Sequence, residues 1–115
     1  MQIDIESTLN EITVLRVSGD VDMNEATSFR QALRQVSHTA QRGVIVTLGQ
    51  VPFIDSAGIA VLIEGLKWSR ERGVTFVLSD LTPPVQLVIE LTRLEQVFTI
   101  ADTLADGLAL IDATA

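Results

Sequence analysis

The chain has 115 residues, 47% of them hydrophobic, and a net charge of −7. That length suits one domain and not two, and the acidity argues against contacts to nucleic-acid phosphates while suiting a basic protein partner. Cysteine is absent, which excludes disulfides and thiolate metal sites and fits a cytoplasmic address. No apolar run nears the roughly 20 residues of a membrane helix, because Glu64, Lys67, Arg70 and Glu71 break the longest one, and the Met1-Gln2-Ile3-Asp4 start has no signal-peptide pattern.

Gln2, Ile3, Asp4, Ile5 and Glu6 alternate polar and apolar, which predicts a half-exposed edge strand. Asn10-Glu11 turns the chain into a second strand over Ile12 to Val17, so the two form a hairpin. After Gly19-Asp20-Val21-Asp22, either Asp22 or Asn24 is expected to cap a helix running to about Ser37, with Ala26, Phe29, Leu33 and Val36 as its apolar stripe. Val44 to Leu48 is a nearly continuous apolar run, as in a strand covered on both faces. A second helix is expected over about 57–72, stopped near Gly73, and Val74 to Leu78 is the next strand. Thr82-Pro83-Pro84 opens a third helix, with proline where a helix accepts it. Val97 to Ile100 reads as a short last strand, and Asp102 as the cap of a final helix bearing Leu104, Leu108 and Ile111. The order ββαβαβαβα predicts a single α/β domain over 1–115, with a mixed sheet of about five strands, about four helices and right-handed crossovers between parallel strands.

The stretch Phe53-Ile54-Asp55-Ser56-Ala57-Gly58-Ile59 takes a strand into the second helix through a tight turn. It puts the Ser56 hydroxyl at a helix N-terminus, with Asp55 beside it to fix the turn. Unpaired N–H groups and about half a positive charge make that position tolerant of an anion, including a phosphate on Ser56. The hydroxyl also suits a simple N-cap. Along the helix, Ile59, Leu62, Ile63 and Leu66 fall on one face at about 100° per residue and read as core. The opposite face carries Ala57, Val61, Glu64 and Trp68 below Ser56. A tryptophan there reads either as an interface residue exposed in the monomer or as a face covered by a second layer.

Residue types that carry chemistry are few. His38 is the only histidine and sits at the end of the first helix, where a cation meets the dipole favourably. A serine esterase using Ser56 needs a base beside it, and the nucleophile-elbow pattern is half present, with Ile54 where its first glycine belongs. Phosphate-binding glycine loops are absent. The one lysine, Lys67, lies within a helix, which removes the aspartate-phosphorylated receiver reading. No histidine–carboxylate cluster suggests a metal, so no cofactor is expected and the chain does not read as an enzyme.

The chain resembles the anti-sigma factor antagonist family, the STAS domains of bacterial partner-switching systems. The resemblance covers nearly the whole chain: the early hairpin, Gly19-Asp20-Val21-Asp22, the helix with Phe29 and Leu33, the strand Val44 to Leu48, and above all Val51 to Ile59. Leu91-Thr92-Arg93-Leu94 is similar to the family's late leucine-threonine-glycine-leucine motif. The resemblance implies that Ser56 is the phosphorylation site and that Asp22 helps form the docking surface. Asp22, Met23, Asn24, Asp55, Ser56, Ala57, Gly58, Val61 and Trp68 are the expected partner-binding residues. It implies a switch in which an anti-sigma factor that is also a serine kinase binds the unphosphorylated chain and frees its sigma factor. Phosphorylation then breaks the complex and a serine phosphatase restores it, the chain acting as a monomer or weak dimer. Thr47 replaces an Asp or Asn common in the family, and Arg93 replaces the late glycine, which is expected to alter that helix end. The alternative readings are a lipid-transport accessory subunit and a stress-signalling scaffold, both binding modules without a sigma factor.

Overall fold

The computed structural model describes residues 1–113. In chain order these form β1 (Gln2–Ser7), β2 (Ile12–Ser18), α1 (Ala26–Thr39), β3 (Gly43–Gln50), α2 (Ser56–Glu71), β4 (Thr75–Ser79), α3 (Pro83–Leu91), β5 (Thr99–Ala101) and α4 (Leu104–Ala113). The expected α/β class, element order and mixed five-stranded sheet are all present. Strand order follows chain order, β1-β2-β3-β4-β5. β1 pairs antiparallel with β2, and every later pair is parallel. Each parallel step is made by a helical crossover, and α4 follows the last strand.

Strand alternation sorts the core into two layers. Leu15, Val17, Val44, Val46, Leu48, Phe76 and Leu78 pack with α1, α2 and α3. Ile12, Ile45, Val77 and Ala101 point the other way and pack on Ile111 of α4, with Leu104, Leu108 and Leu110 beside it. The middle strand is therefore covered on both faces, as its unbroken apolar run predicts. The stripe Ala26, Phe29, Leu33 and Val36 is buried as expected.

The second helix departs from its expected faces. Ile59, Leu62 and Leu66 are core, but Ile63 is 40% exposed and Val61 is 0% exposed. The face with Ala57, Val61, Glu64 and Trp68 lies against α1. Arg30 Nε donates to both Glu64 carboxylate oxygens at 3.1 and 3.0 Å, and the Arg34 guanidinium stands 6.0 Å from the centre of the Trp68 ring. Gly65 permits this close approach, since a Cβ there would sit 2.5 Å from Leu33 Cδ2. Arg72 closes the far end by donating to the Ser37 and Ala40 carbonyls at 2.7 and 2.8 Å, which supplies partners that the end of a helix lacks. Val61 and Trp68 thus belong to a helix pair within the chain. Trp68 is half-buried, where an interface tryptophan was expected to be exposed.

Several local expectations shift for identifiable reasons. β5 begins at Thr99, two residues later than expected, because the Val97 and Phe98 N–H groups donate to the Leu94 carbonyl in a turn. The Thr103 hydroxyl, not Asp102, accepts the Asp106 N–H at 3.1 Å at the start of α4. Two helices end in the same manner. In α2 the Val74 N–H reaches the Ser69 carbonyl and the Gly73 N–H reaches that of Arg70; in α3 the Leu94 N–H reaches Ile89 and the Arg93 N–H reaches Glu90. Both are Schellman ends, which place one residue in left-handed backbone. Gly73 (φ +70) meets that need without strain, whereas Arg93 (φ +59) does not. The helix end expected to change at Arg93 therefore keeps its geometry and carries the strain.

Arg93→Gly is expected to raise stability by about 1 kcal/mol, read as a higher urea midpoint with an unchanged slope. An unchanged or lower midpoint would show that the arginine side chain compensates elsewhere.

Candidate functional site

The site is assembled where two loops leave the C-terminal ends of β2 and β3. They are joined by a single parallel bridge between Val21 and Ile54. The Val21 N–H donates to the Phe53 carbonyl at 2.9 Å, and the Asp55 N–H donates to the Val21 carbonyl at 3.2 Å. This bridge extends the sheet by one step beyond its strands and sets Asp22, Met23 and Asn24 beside Asp55 and Ser56.

Asp55 holds the arrangement. It is the N-cap of α2, in extended backbone, and its Oδ1 accepts the Gly58 N–H at 3.1 Å. Its Oδ2 accepts the Met23 N–H at 3.0 Å. One carboxylate therefore satisfies the mouth of α2 and pins the loop before α1. The capping role weighed for Ser56 belongs to its neighbour. Ser56 is instead the first residue of the helix and is exposed.

Asp22 does not cap α1. Its Oδ1 accepts the Asn24 N–H at 2.9 Å, a local turn that ends before the helix. α1 starts at Ala26, with Glu25 as its N-cap and no side-chain bond there. The cap was expected at Asp22 or Asn24 because both types favour it. Competition from the Asx turn and the Met23–Asp55 bond takes that segment out of the helix.

The nine expected partner-binding residues separate by exposure. Met23, Asn24 and Ser56 are exposed, and Asp22, Asp55 and Ala57 are half-buried. Gly58 is buried against the first loop, where a Cβ would lie 2.7 Å from the Val21 carbonyl oxygen. Its contribution is close packing under the site. Val61 is sealed beneath α1 and Trp68 lies three turns along α2, so neither adjoins the hydroxyl.

One surface residue was missed. Phe53 is 48% exposed and Met23 is 72% exposed, although both flank the turn that displays Ser56. Phe53 reads as the end of a strand in the sequence, yet β3 stops at Gln50 and Val51 to Phe53 form a loop. The available signal was Pro52, which cannot donate to a strand ladder. The surface thus combines a hydroxyl, two large apolar side chains and the carboxylates of Asp22 and Asp55.

Among the described residues, no group of histidine and carboxylate side chains could hold a metal ion. His38 lies in the last turn of α1, with Nδ1 2.7 Å from the Arg34 carbonyl oxygen. That turn is at the N-terminal end of β3, and Ser56 is at the other end of the same strand, so no imidazole base reaches the hydroxyl. Among the described residues, no helix is long and apolar enough to cross a membrane.

Residues 3–107 match the model of the STAS domain. A curated relative from Paenibacillus polymyxa, named an anti-sigma F factor antagonist, is 22% identical over 113 residues, covering 97% of this chain and 96% of that protein. The crystal structure of an anti-sigma factor antagonist from Mycobacterium paratuberculosis is 25% identical with a TM-score of 0.88, covering 96% of this chain and 93% of that one. The structure of the Bacillus cell fate determinant SpoIIAA in its phosphorylated form shares the fold at 17% identity and a TM-score of 0.70, covering 99% of this chain and all of that one (100%).

Asp55→Ala is expected to cost about 2 to 3 kcal/mol, the loss of a helix cap together with a second charge-assisted bond. Urea denaturation measures the total. Amide hydrogen exchange should quicken at both Gly58 and Met23; acceleration at Gly58 alone would mean that the two loops are held together by other contacts.

Proposed function

The chain belongs to the STAS domain family, and from that premise we propose that it is an anti-sigma factor antagonist switched by phosphorylation of Ser56. Its unphosphorylated form binds an anti-sigma factor that is also a serine kinase, and so releases a sigma factor in the cytoplasm. The kinase modifies Ser56 and leaves; a serine phosphatase resets the chain. The observation that carries this reading is the exposed Ser56 hydroxyl on the first turn of α2, flanked by the exposed apolar side chains of Met23 and Phe53. The curated relative named as an anti-sigma F factor antagonist, and the phosphorylated form of SpoIIAA on the same fold, support it.

The physical basis of the switch is charge at a docking surface. Met23 and Phe53 supply apolar area that gains from being covered, in the manner of interface anchors. Phosphorylation adds about −1.5 to −2 charges at pH 7, beside the Asp55 and Asp22 carboxylates. The N-terminus of α2 offsets part of the local repulsion, and Asp55 keeps its own bonds to Gly58 and Met23, so the fold holds. A partner shaped to cover a neutral hydroxyl must then desolvate a dianion, which costs several kcal/mol in an unmatched site. A change of about 1.4 kcal/mol already alters affinity tenfold. The predicted mechanism is direct blockage with little refolding.

Incubation with the neighbouring anti-sigma kinase and ATP is expected to add one phosphate, located at Ser56 by mass spectrometry. Ser56→Ala should bind that kinase and resist release by ATP, whereas Ser56→Asp should bind weakly. Equal affinity of the two variants would rule out direct blockage.

A further inference from the structure

On the α4 side of the sheet, a cleft of about 260 Å³ opens among Arg16, Thr47, Gly49, Gln50, Asp80 and Leu104. A polar row crosses three strands here, of which Arg16 and Thr47 line the cleft while Ser79 is buried and does not. Arg16 of β2 is in register with Thr47 of β3, and Thr47 with Ser79 of β4. These positions fall an even number of residues after Ile12, Ile45 and Val77, so they share the face that packs on α4.

The fold does not use all of this polarity. Thr47 Oγ1 donates to Asp80 Oδ2 at 3.0 Å, which leaves the other carboxylate oxygen to a further donor. Asp80 holds φ +57, a left-handed backbone that aspartate adopts at some cost. Ser79 is 0% exposed, and its Oγ has no hydrogen-bond partner among the described residues. Two other buried serines, Ser37 and Ser69, share that state, so the site is argued from Arg16, Thr47 and Asp80, which line the cleft. Arg16 keeps a half-exposed side chain whose Nε pairs with Glu6 of the edge strand at 3.5 Å, with Asp4 opposite it in register, so a carboxylate bound there would share the guanidinium with Glu6.

The two charges stand at opposite ends of the cleft. Arg16 and Asp80 are separated by two strand spacings, about 10 Å, a gap that the long arginine side chain shortens. A dianion would meet Asp80 and a chain of net charge −7. A simple cation would leave Arg16 facing it, and an apolar molecule would desolvate both charges. We propose that this cleft binds a small zwitterion of the amino-acid class, with its carboxylate on Arg16 and its ammonium on Asp80, over the Thr47 hydroxyl. The cleft is separate from the Ser56 surface, so its test does not depend on the antagonist reading.

The experiment follows backbone amide chemical shifts of the whole chain while L-alanine, γ-aminobutyrate or glycylglycine is added. Acetate, ethylammonium and inorganic phosphate serve as probes of each charge alone. Saturable shifts at Gly49, Gln50 and Asp80 are expected with at least one zwitterion, and about tenfold weaker binding of acetate and ethylammonium. Arg16→Gln and Asp80→Asn should each weaken the zwitterion about tenfold. Asparagine keeps an acceptor for Thr47 and tolerates left-handed backbone, so the turn survives that change. The absence of saturable shifts with every zwitterion overturns the proposal. So does phosphate or acetate binding as tightly as the zwitterions, or an Asp80→Asn variant with undiminished affinity.

Discussion

The Asp55 carboxylate gives each of its oxygens to a different loop, Oδ1 to the Gly58 N–H at the mouth of α2 and Oδ2 to the Met23 N–H before α1. Beyond the backbone bonds of the Val21–Ile54 bridge, this one side chain ties the two loops together. A glutamate is one methylene too long to cap in the same way, and an asparagine would present a donor to one of two donors. The constraint explains why the serine beside it is free. With the cap supplied by its neighbour, the Ser56 hydroxyl is released from structural duty and is presented to solvent.

The surface around that hydroxyl balances two opposed properties. Met23 and Phe53 offer apolar area that favours association, while Asp22 and Asp55 bring charge that must remain hydrated or hydrogen-bonded. Asp22 is partly satisfied by the Asn24 N–H and Asp55 by two amides. Their charge is therefore held by the backbone and does not demand a partner cation. A docking protein can cover the apolar pair while leaving these carboxylates as they are, whereas a phosphate on Ser56 adds charge beside them that the N-terminus of α2 offsets only in part.

Much of the fold was legible because its signals are local. The apolar run at Val44 to Leu48, the stripe on α1 and the proline start of α3 each follow from the period or chemistry of one segment. The errors occur where two segments compete. Val61 was placed outside because one helix has only one obvious core face. α2 has two, and the clue was Gly65, which admits Leu33. Asp22 and Asn24 were given a cap that the Asx turn and Asp55 pre-empt. At Ser56 the turn was located correctly and its cap assigned to the adjacent residue, since aspartate and serine cap equally well and only the Met23 N–H, 32 residues away, decides which one is turned inward. Arg93 shows the converse: a departure from the glycine pattern that the backbone absorbs without changing shape.

The identity of strand order and chain order has a bearing on how the molecule is made. Every strand lies beside the one translated just before it, so a nascent chain can add each hairpin or crossover to a growing sheet without waiting for a distant segment. The exception is α4. Ile12, Ile45 and Val77 belong to the second, third and fourth strands, yet their cover is Ile111, from the last described element. During synthesis that face stays wet until residues 104–113 have left the ribosome, which makes the covering helix the step that commits the sheet and the interval before it the time when chaperone contact is most useful.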